Sequence, residues 1–161
     1  MTELPSAVEP LLADYRTLLE RELPGLMAGL YVHGSIALEA FNPGFSDVDF
    51  ITVVSRRCNF DDLQRLAKIH QQLHQHYPRP PLEGSYLQWP DLGKFEDAIP
   101  PSPCFHDRQL HPAGHHDVNA VTWWVLKHRG LTLVGPEPAD LDFSVDWDML
   151  MDRMRANLNT Y

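Results

Sequence analysis

Apolar residues spaced three and four apart open the chain. Leu11, Leu12, Tyr15, Leu18 and Leu19 share one face over residues 6–22, and Pro24-Gly25 ends the helix they predict. "LMAGLYVHG" (26–34) is a continuous apolar run that reads as a buried strand stopped by Gly34, after which Ser35 is placed to cap a short helix through "IALEA". "NPGFS" (42–46) has turn chemistry, and "DVDFITVVS" (47–55), β-branched and continuous after Phe50, is the clearest strand. Asn59 can cap a helix reaching about Tyr77, with Phe60, Leu63, Leu66, Ala67, Ile69 and Leu73 as its apolar residues and Pro78, Pro80 and Pro81 as its stop. "LEGSYLQW" (82–89) predicts another strand. Residues 90–117 are Pro-rich and predict a long irregular loop. A helix over 117–130, ended by Gly130, leads into the short apolar piece "LTLVG". Residues 144–161 predict an amphipathic helix with Trp147, Leu150, Met151, Met154 and Leu158 on its apolar side.

At 161 residues the chain is one domain, or one domain and part of another, and can bury a full core. Its hydrophobic share of 43% and charged share of 22% are those of a globular protein. The net charge of −9, with no basic run, argues against a nucleic-acid surface. An anionic small molecule would need a metal ion or local amide donors against that acidic background. Cys58 and Cys104 are too few for a disulfide framework or a zinc site and read as reduced thiols. "MTELPSAVEP" has no secretion-signal pattern, and no run of about 18 apolar residues occurs, so the expectation is a cytosolic protein without a membrane span.

The chemistry concentrates in "VHGSIALEAFNPGFSDVDF" (32–50). Strand side chains alternate, so Asp47 and Asp49 face one side, about 7 Å apart, while Val48 and Phe50 face the other. Two ionised carboxylates so placed repel each other and are costly to desolvate, and a divalent cation removes both problems. Oxygen-only ligands suit Mg²⁺, which takes a few carboxylates together with substrate phosphates. Gly34-Ser35 stands at a strand end and a helix start, where free amides, close backbone approach and a hydroxyl make a phosphate cradle. A cradle beside a carboxylate pair is what a magnesium–nucleoside triphosphate requires.

This segment resembles the nucleotidyltransferase (DNA polymerase β-like) superfamily, whose pattern is hydrophobic-Gly-Ser, a spacer of about ten residues, then Asp-hydrophobic-Asp-hydrophobic. Within it the chain looks most like the streptomycin and spectinomycin adenylyltransferases, and "VTWWVLKHRGLTLVGPEP" (121–138) and "NLNTY" (157–161) add to the likeness. The resemblance implies an α/β (α+β) fold with a small mixed β-sheet flanked by helices. It implies that Asp47 and Asp49 hold Mg²⁺, that Gly34 and Ser35 bind the triphosphate of ATP with Ser46 as a further donor, and that a third carboxylate on a neighbouring strand completes the site. Glu83, the only acid in its predicted strand, is the candidate third carboxylate, as general base or ligand for a second metal. The implied acceptor is a small molecule, an aminoglycoside antibiotic foremost.

The family's full-length members continue into a helical domain, so the expected division is a nucleotidyltransferase domain over 1–143 and a C-terminal helix over 144–161 that begins such a domain or meets a helical partner. Two other readings stay open: a protein acceptor of the toxin–antitoxin type, and a non-catalytic interaction module. The run "HPAGHHD" (111–117) reads as a helix cap at Asp117 or a pocket border rather than a transition-metal site, because its loop lacks a second spaced cluster. Trp89 and Tyr86 are candidates to stack on a base or sugar, with packing the simpler role. Arg56 and Arg57 read as solvating the strand end, and Asp91, Glu96 and Asp97 are the loop acids available to an ammonium-bearing acceptor.

Overall fold

The computed structural model describes residues 3–158. Helix α1 (Glu9–Glu22) starts three residues later than the periodicity predicts, with a Pro in its first turn, where a missing N–H costs nothing. Strand β1 (Met27–Val32) leads through His33 into α2 (Gly34–Ala37), a single turn. Ser35 lies inside that turn and does not cap it; the cap position falls to His33, which makes no side-chain capping bond. Strand β2 (Val48–Val54) begins one residue after Asp47. Helix α3 (Phe60–His76) is capped by Asn59 as expected, in a reciprocal capping box with Asp62. Strand β3 (Leu82–Leu87) follows α3 and runs parallel to β2.

The expected loop over 90–117 is corrected. It contains two strands, β4 (Ser102–His106) and β5 (Gln109–Gly114), paired as a hairpin. The turn between them is Asp107-Arg108, both left-handed at φ 53° and 60°, a two-residue connection that favours Asn-Gly and therefore leaves little trace in this sequence. Pro112 sits on β5, at the edge of the sheet, where a missing N–H is tolerated. Helix α4 (Ala120–Arg129) is capped by the Asn119 side chain, not at Asp117. Strand β6 (Leu131–Val134) returns beside β1, and α5 (Trp147–Leu158) closes the described chain. Part of the predicted 144–161 helix, and of "NLNTY", lies outside the described residues.

The six strands form one mixed sheet in the order β5-β4-β3-β2-β1-β6, in which β2 and β3 are the parallel pair. Alternation along β2 divides its side chains between two cores. Val48, Phe50 and Val54 pack against α1 and α3 with Leu11, Leu19, Leu66 and Ile69. Ile51 and Val53 face the other way with Tyr31, Leu87, Trp123 and Leu126, under α4 and α5. On the α1–α3 side the Tyr15 hydroxyl lies 2.7 Å from Thr52 Oγ1 and donates to Tyr86 at 2.9 Å, and Tyr86 meets His70 Nε2 at 2.6 Å. Tyr86 is thus a buried network member on the face away from the site, and not a base-stacking platform. Trp123 is fully buried. Trp89 packs its edge towards Tyr31.

Candidate active site

Strand register assembles the site. Asp49 pairs across the parallel ladder with Glu83, and Ile51 and Val53 behind it pair with Ser85 and Leu87, so the two acids share the α4 face. On the opposite side His33 donates its backbone N–H to the Asp49 carbonyl at 3.0 Å. His33, Asp49 and Glu83 therefore sit in a row across three adjacent strands. Gly84, next to Glu83, is obligatory: a Cβ there would fall 2.1 Å from the Phe50 carbonyl oxygen.

Gly34 is required twice over. Its φ of 64° is left-handed, and a Cβ would lie 2.0 Å from Asp49 Oδ2, so the Asp49 carboxylate rests against its bare α-carbon. The Ser35 hydroxyl and the His33 Nε2, both out of solvent contact, have no hydrogen-bond partner. Together with Asp49 and Asp117 these residues line a cleft of about 950 Å³. Val125 of α4 and Arg153 of α5 face it from the other side. Arg153 lies 3.9 Å over the Phe95 ring and is the only arginine or lysine lining the cleft among the described residues.

The electrostatics follow from crowding. Burial pushes Asp49 up to about 7, and Asp117, Asp47 and Glu83 add to the shift. Burial also raises Glu83, and Asp47, whose carboxyl is within hydrogen-bond range, raises it further, while the Asp107 N–H donating at 3.1 Å pulls the other way. Asp117 is raised by burial but ends below the usual range because His116, His33 and His106 face it. His116 Nε2 is 3.2 Å from Asp117 Oδ2, near enough for an ion pair when protonated but off the hydrogen-bond direction. Burial drives His33 down to about 4, so that ring is neutral at pH 7.

Of the residues singled out from sequence, the structure brings Gly34, Ser35 and Asp49 into the cleft and sets Asp47 and Glu83 beside them. Ser46 serves its own turn, accepting the Asn42 N–H at 2.9 Å. Asp91 is corrected: it is buried and held bidentately by Arg57 at 2.6 and 2.8 Å, so it cannot receive an ammonium group. Arg56 likewise pairs with Asp62 and does not simply solvate a strand end. Glu96 and Asp97 are exposed at the cleft. Sequence reasoning missed His33 and Arg153 as site residues, while of its two readings for the run ending at Asp117 the pocket border is the one that Asp117 fulfils. His33 was signalled by its place before Gly34-Ser35, whereas Asp117 owes its position to a left-handed φ of 57° that no motif announces.

Residues 13–81 match the family model described as a nucleotidyltransferase domain, a stretch that holds Gly34, Ser35, Asp47 and Asp49 and ends before Glu83. No curated protein matches the chain. Among solved structures, the spectinomycin adenyltransferase AAD(9) from Enterococcus faecialis, with ATP and spectinomycin, is similar at TM-score 0.63 and 11% identity, over 94% of this chain and 66% of that one. This chain thus spans just under two thirds of that enzyme's length. A toxin–antitoxin structure with AMP-PNP matches at TM-score 0.42 and 11% identity, over 92% of this chain and 87% of that one. The six-stranded mixed sheet with its flanking helices has the nucleotidyltransferase fold, and residues 13–81 are similar to a nucleotidyltransferase domain.

Proposed function

We propose that the chain is a magnesium-dependent adenylyltransferase that moves AMP from ATP to a hydroxyl of a small cationic acceptor, an aminoglycoside antibiotic being the best fit. The observation that carries this reading is Asp49, half-buried at the cleft against the bare α-carbon of Gly34, in register with Glu83 and crowded by Asp117, Asp47 and Glu83, with His116 the one basic neighbour that offsets them.

These residues fit a divalent cation. Asp47 and Asp49 offer oxygen donors whose mutual repulsion is eased only by His116, with Glu83 as the neighbouring third acid. Those residues would hold Mg²⁺, which when bound offsets triphosphate charge and polarises the α-phosphate. The first amides of α2 lack intrahelical acceptors and, with the unpartnered Ser35 hydroxyl, receive phosphate oxygens. Arg153 adds positive charge on the opposite wall. Glu83, held above the usual glutamate range, is suited to take the acceptor's hydroxyl proton. The acceptor oxygen then bonds to the α-phosphorus as the bond to the β-phosphate oxygen breaks, and pyrophosphate leaves. The chain's task is positioning.

Three features favour a cationic acceptor: the net charge of −9, Glu96 and Asp97 at the cleft, and Asp117 within it. The similar adenyltransferase solved with ATP and spectinomycin makes those compounds the first probes. Calorimetric titration of ATP with Mg²⁺ and with EDTA, on the wild type and on Asp47→Asn, tests the reading. Binding is expected only when both the metal and Asp47 are present. Equal ATP affinity in Asp47→Asn would sink it.

A further inference from the structure

We propose that Glu83, His106 and Asp107 form a binding site for a borderline divalent cation of the zinc or cobalt type, chemically distinct from the Asp47–Asp49 pair. One donor atom from each of the three lies within 4.8 Å of the others, and this is the only such trio of His, Cys, Asp or Glu among the described residues. Asp47, Asp49 and Glu83 do not close up in that way.

The hairpin makes the site. Gly84 pairs with Phe105 across β3 and β4, which brings His106 alongside Glu83. The left-handed Asp107-Arg108 turn then folds Asp107 back over both of them. Its N–H donates to Glu83 Oε2 at 3.1 Å, and its Oδ2 lies 3.0 Å from His106 Nδ1. Among the described residues no Lys or Arg forms an ion pair with Glu83 or Asp107, so the two carboxylates share a cation-deficient corner.

Imidazole decides which ion fits. Mg²⁺ prefers oxygen ligands throughout, whereas a nitrogen beside two carboxylates suits Zn²⁺, Co²⁺ or Ni²⁺. The His106 ring is held in advance, stacked on His111 at 3.9 Å and 11° and on His116 at 4.5 Å and 13°. A ligand already fixed loses little rotamer freedom on binding. The Nε2 atom of His111, out of solvent contact, lacks a hydrogen-bond partner, and that of His116 has only the Asp117 carboxylate at 3.2 Å, so this corner holds an imidazole nitrogen that the protein itself does not satisfy. Closure onto metal distances of about 2.0–2.2 Å asks mainly for rotation of Asp107, whose side chain is 86% exposed.

Glu83 is common to this site and to the proposed transfer chemistry. An ion bound here therefore withdraws the proton acceptor, a consequence that rests on the reading above although the binding itself does not. Titration of the full chain with Co²⁺ alone, free of nucleotide and Mg²⁺ and followed by visible absorption, tests the site. One equivalent is expected to bind with the bands of a mixed nitrogen and oxygen site. His106→Gln and Asp107→Ala are each expected to weaken it about tenfold or more, and Asp49→Asn to leave it within about twofold, with circular dichroism confirming that each variant folds. No cobalt binding, or binding indifferent to both His106→Gln and Asp107→Ala, overturns the proposal. Loss in Asp49→Asn alone also overturns it and assigns the ion to the aspartate pair.

Discussion

Asp49 shows most directly how this chain stores cost for a purpose. Its carboxyl holds a proton up to about pH 7, first through burial and then through the acids around it. An unfolded aspartate ionises near 3.8. Between those values the folded state binds more protons, so the site lowers stability as pH rises from about 4 to 7, and the full cost stands above pH 7. In metal-free buffer Asp49→Asn is expected to stabilise the protein by about 1–3 kcal/mol at pH 8. The gain should shrink to nothing below pH 4. Urea unfolding across that range in EDTA measures it, and a destabilised variant at pH 8 would contradict the crowding account. Gly34 shows the complementary economy: a side chain would occupy the space taken by the Asp49 carboxylate.

Elements differed in how openly the sequence declared them. Helix α3 was readable end to end, because Asn59 is an unambiguous cap and its apolar residues keep a helical period. Asn59→Ala is expected to cost about 1 kcal/mol through loss of its bond to the Asp62 N–H, with ATP binding untouched. Thermal unfolding beside the calorimetric titration separates the two effects. The carboxylate strand and the Gly34-Ser35 turn were equally plain, since alternation and glycine are local properties. The β4–β5 hairpin was not, because Pro103 and Pro112 mark its strands as breakers and its turn is Asp-Arg. The site inherited that blindness. Asp49 and Glu83 could be named from sequence, but the stack of His106 with His111 and His116 exists only once the hairpin pairs. The Ser35 cap failed for a related reason: the turn starts at Gly34, so the hydroxyl belongs to the site and not to the helix end.

Across the molecule, the two cores each enclose a neutral histidine's worth of acid sensitivity. Burial lowers His70 to about 3, within the Tyr15–Tyr86 network, and His33 to about 4, beside the cleft. Unfolded histidines take a proton near 6.5. Both rings therefore favour the fold fully above pH 6.5, and the advantage drains away as pH falls towards 4 and 3, by about 1.4 kcal/mol per pH unit for each ring. Asp49 works in the opposite sense over the same window and blunts the loss. Wild-type stability is thus expected to decline from pH 6.5 to 4 at about half the slope of Asp49→Asn, whose offset is gone. Parallel slopes for the two proteins would rule out this opposition.

The outer edge of the hairpin carries one more consequence. A sheet ending in a straight, unpaired strand is an invitation to polymerise, since any extended chain can dock on its free amides. Here β5 meets solvent with Pro112 in its middle and Gly114 at its end, so it lacks a donor where a visitor would need one. At the far edge β6 is four residues long, and the Leu133 carbonyl already accepts a bond from Arg16 at 3.4 Å. Both edges of the mixed ladder are thus poor templates for a further strand.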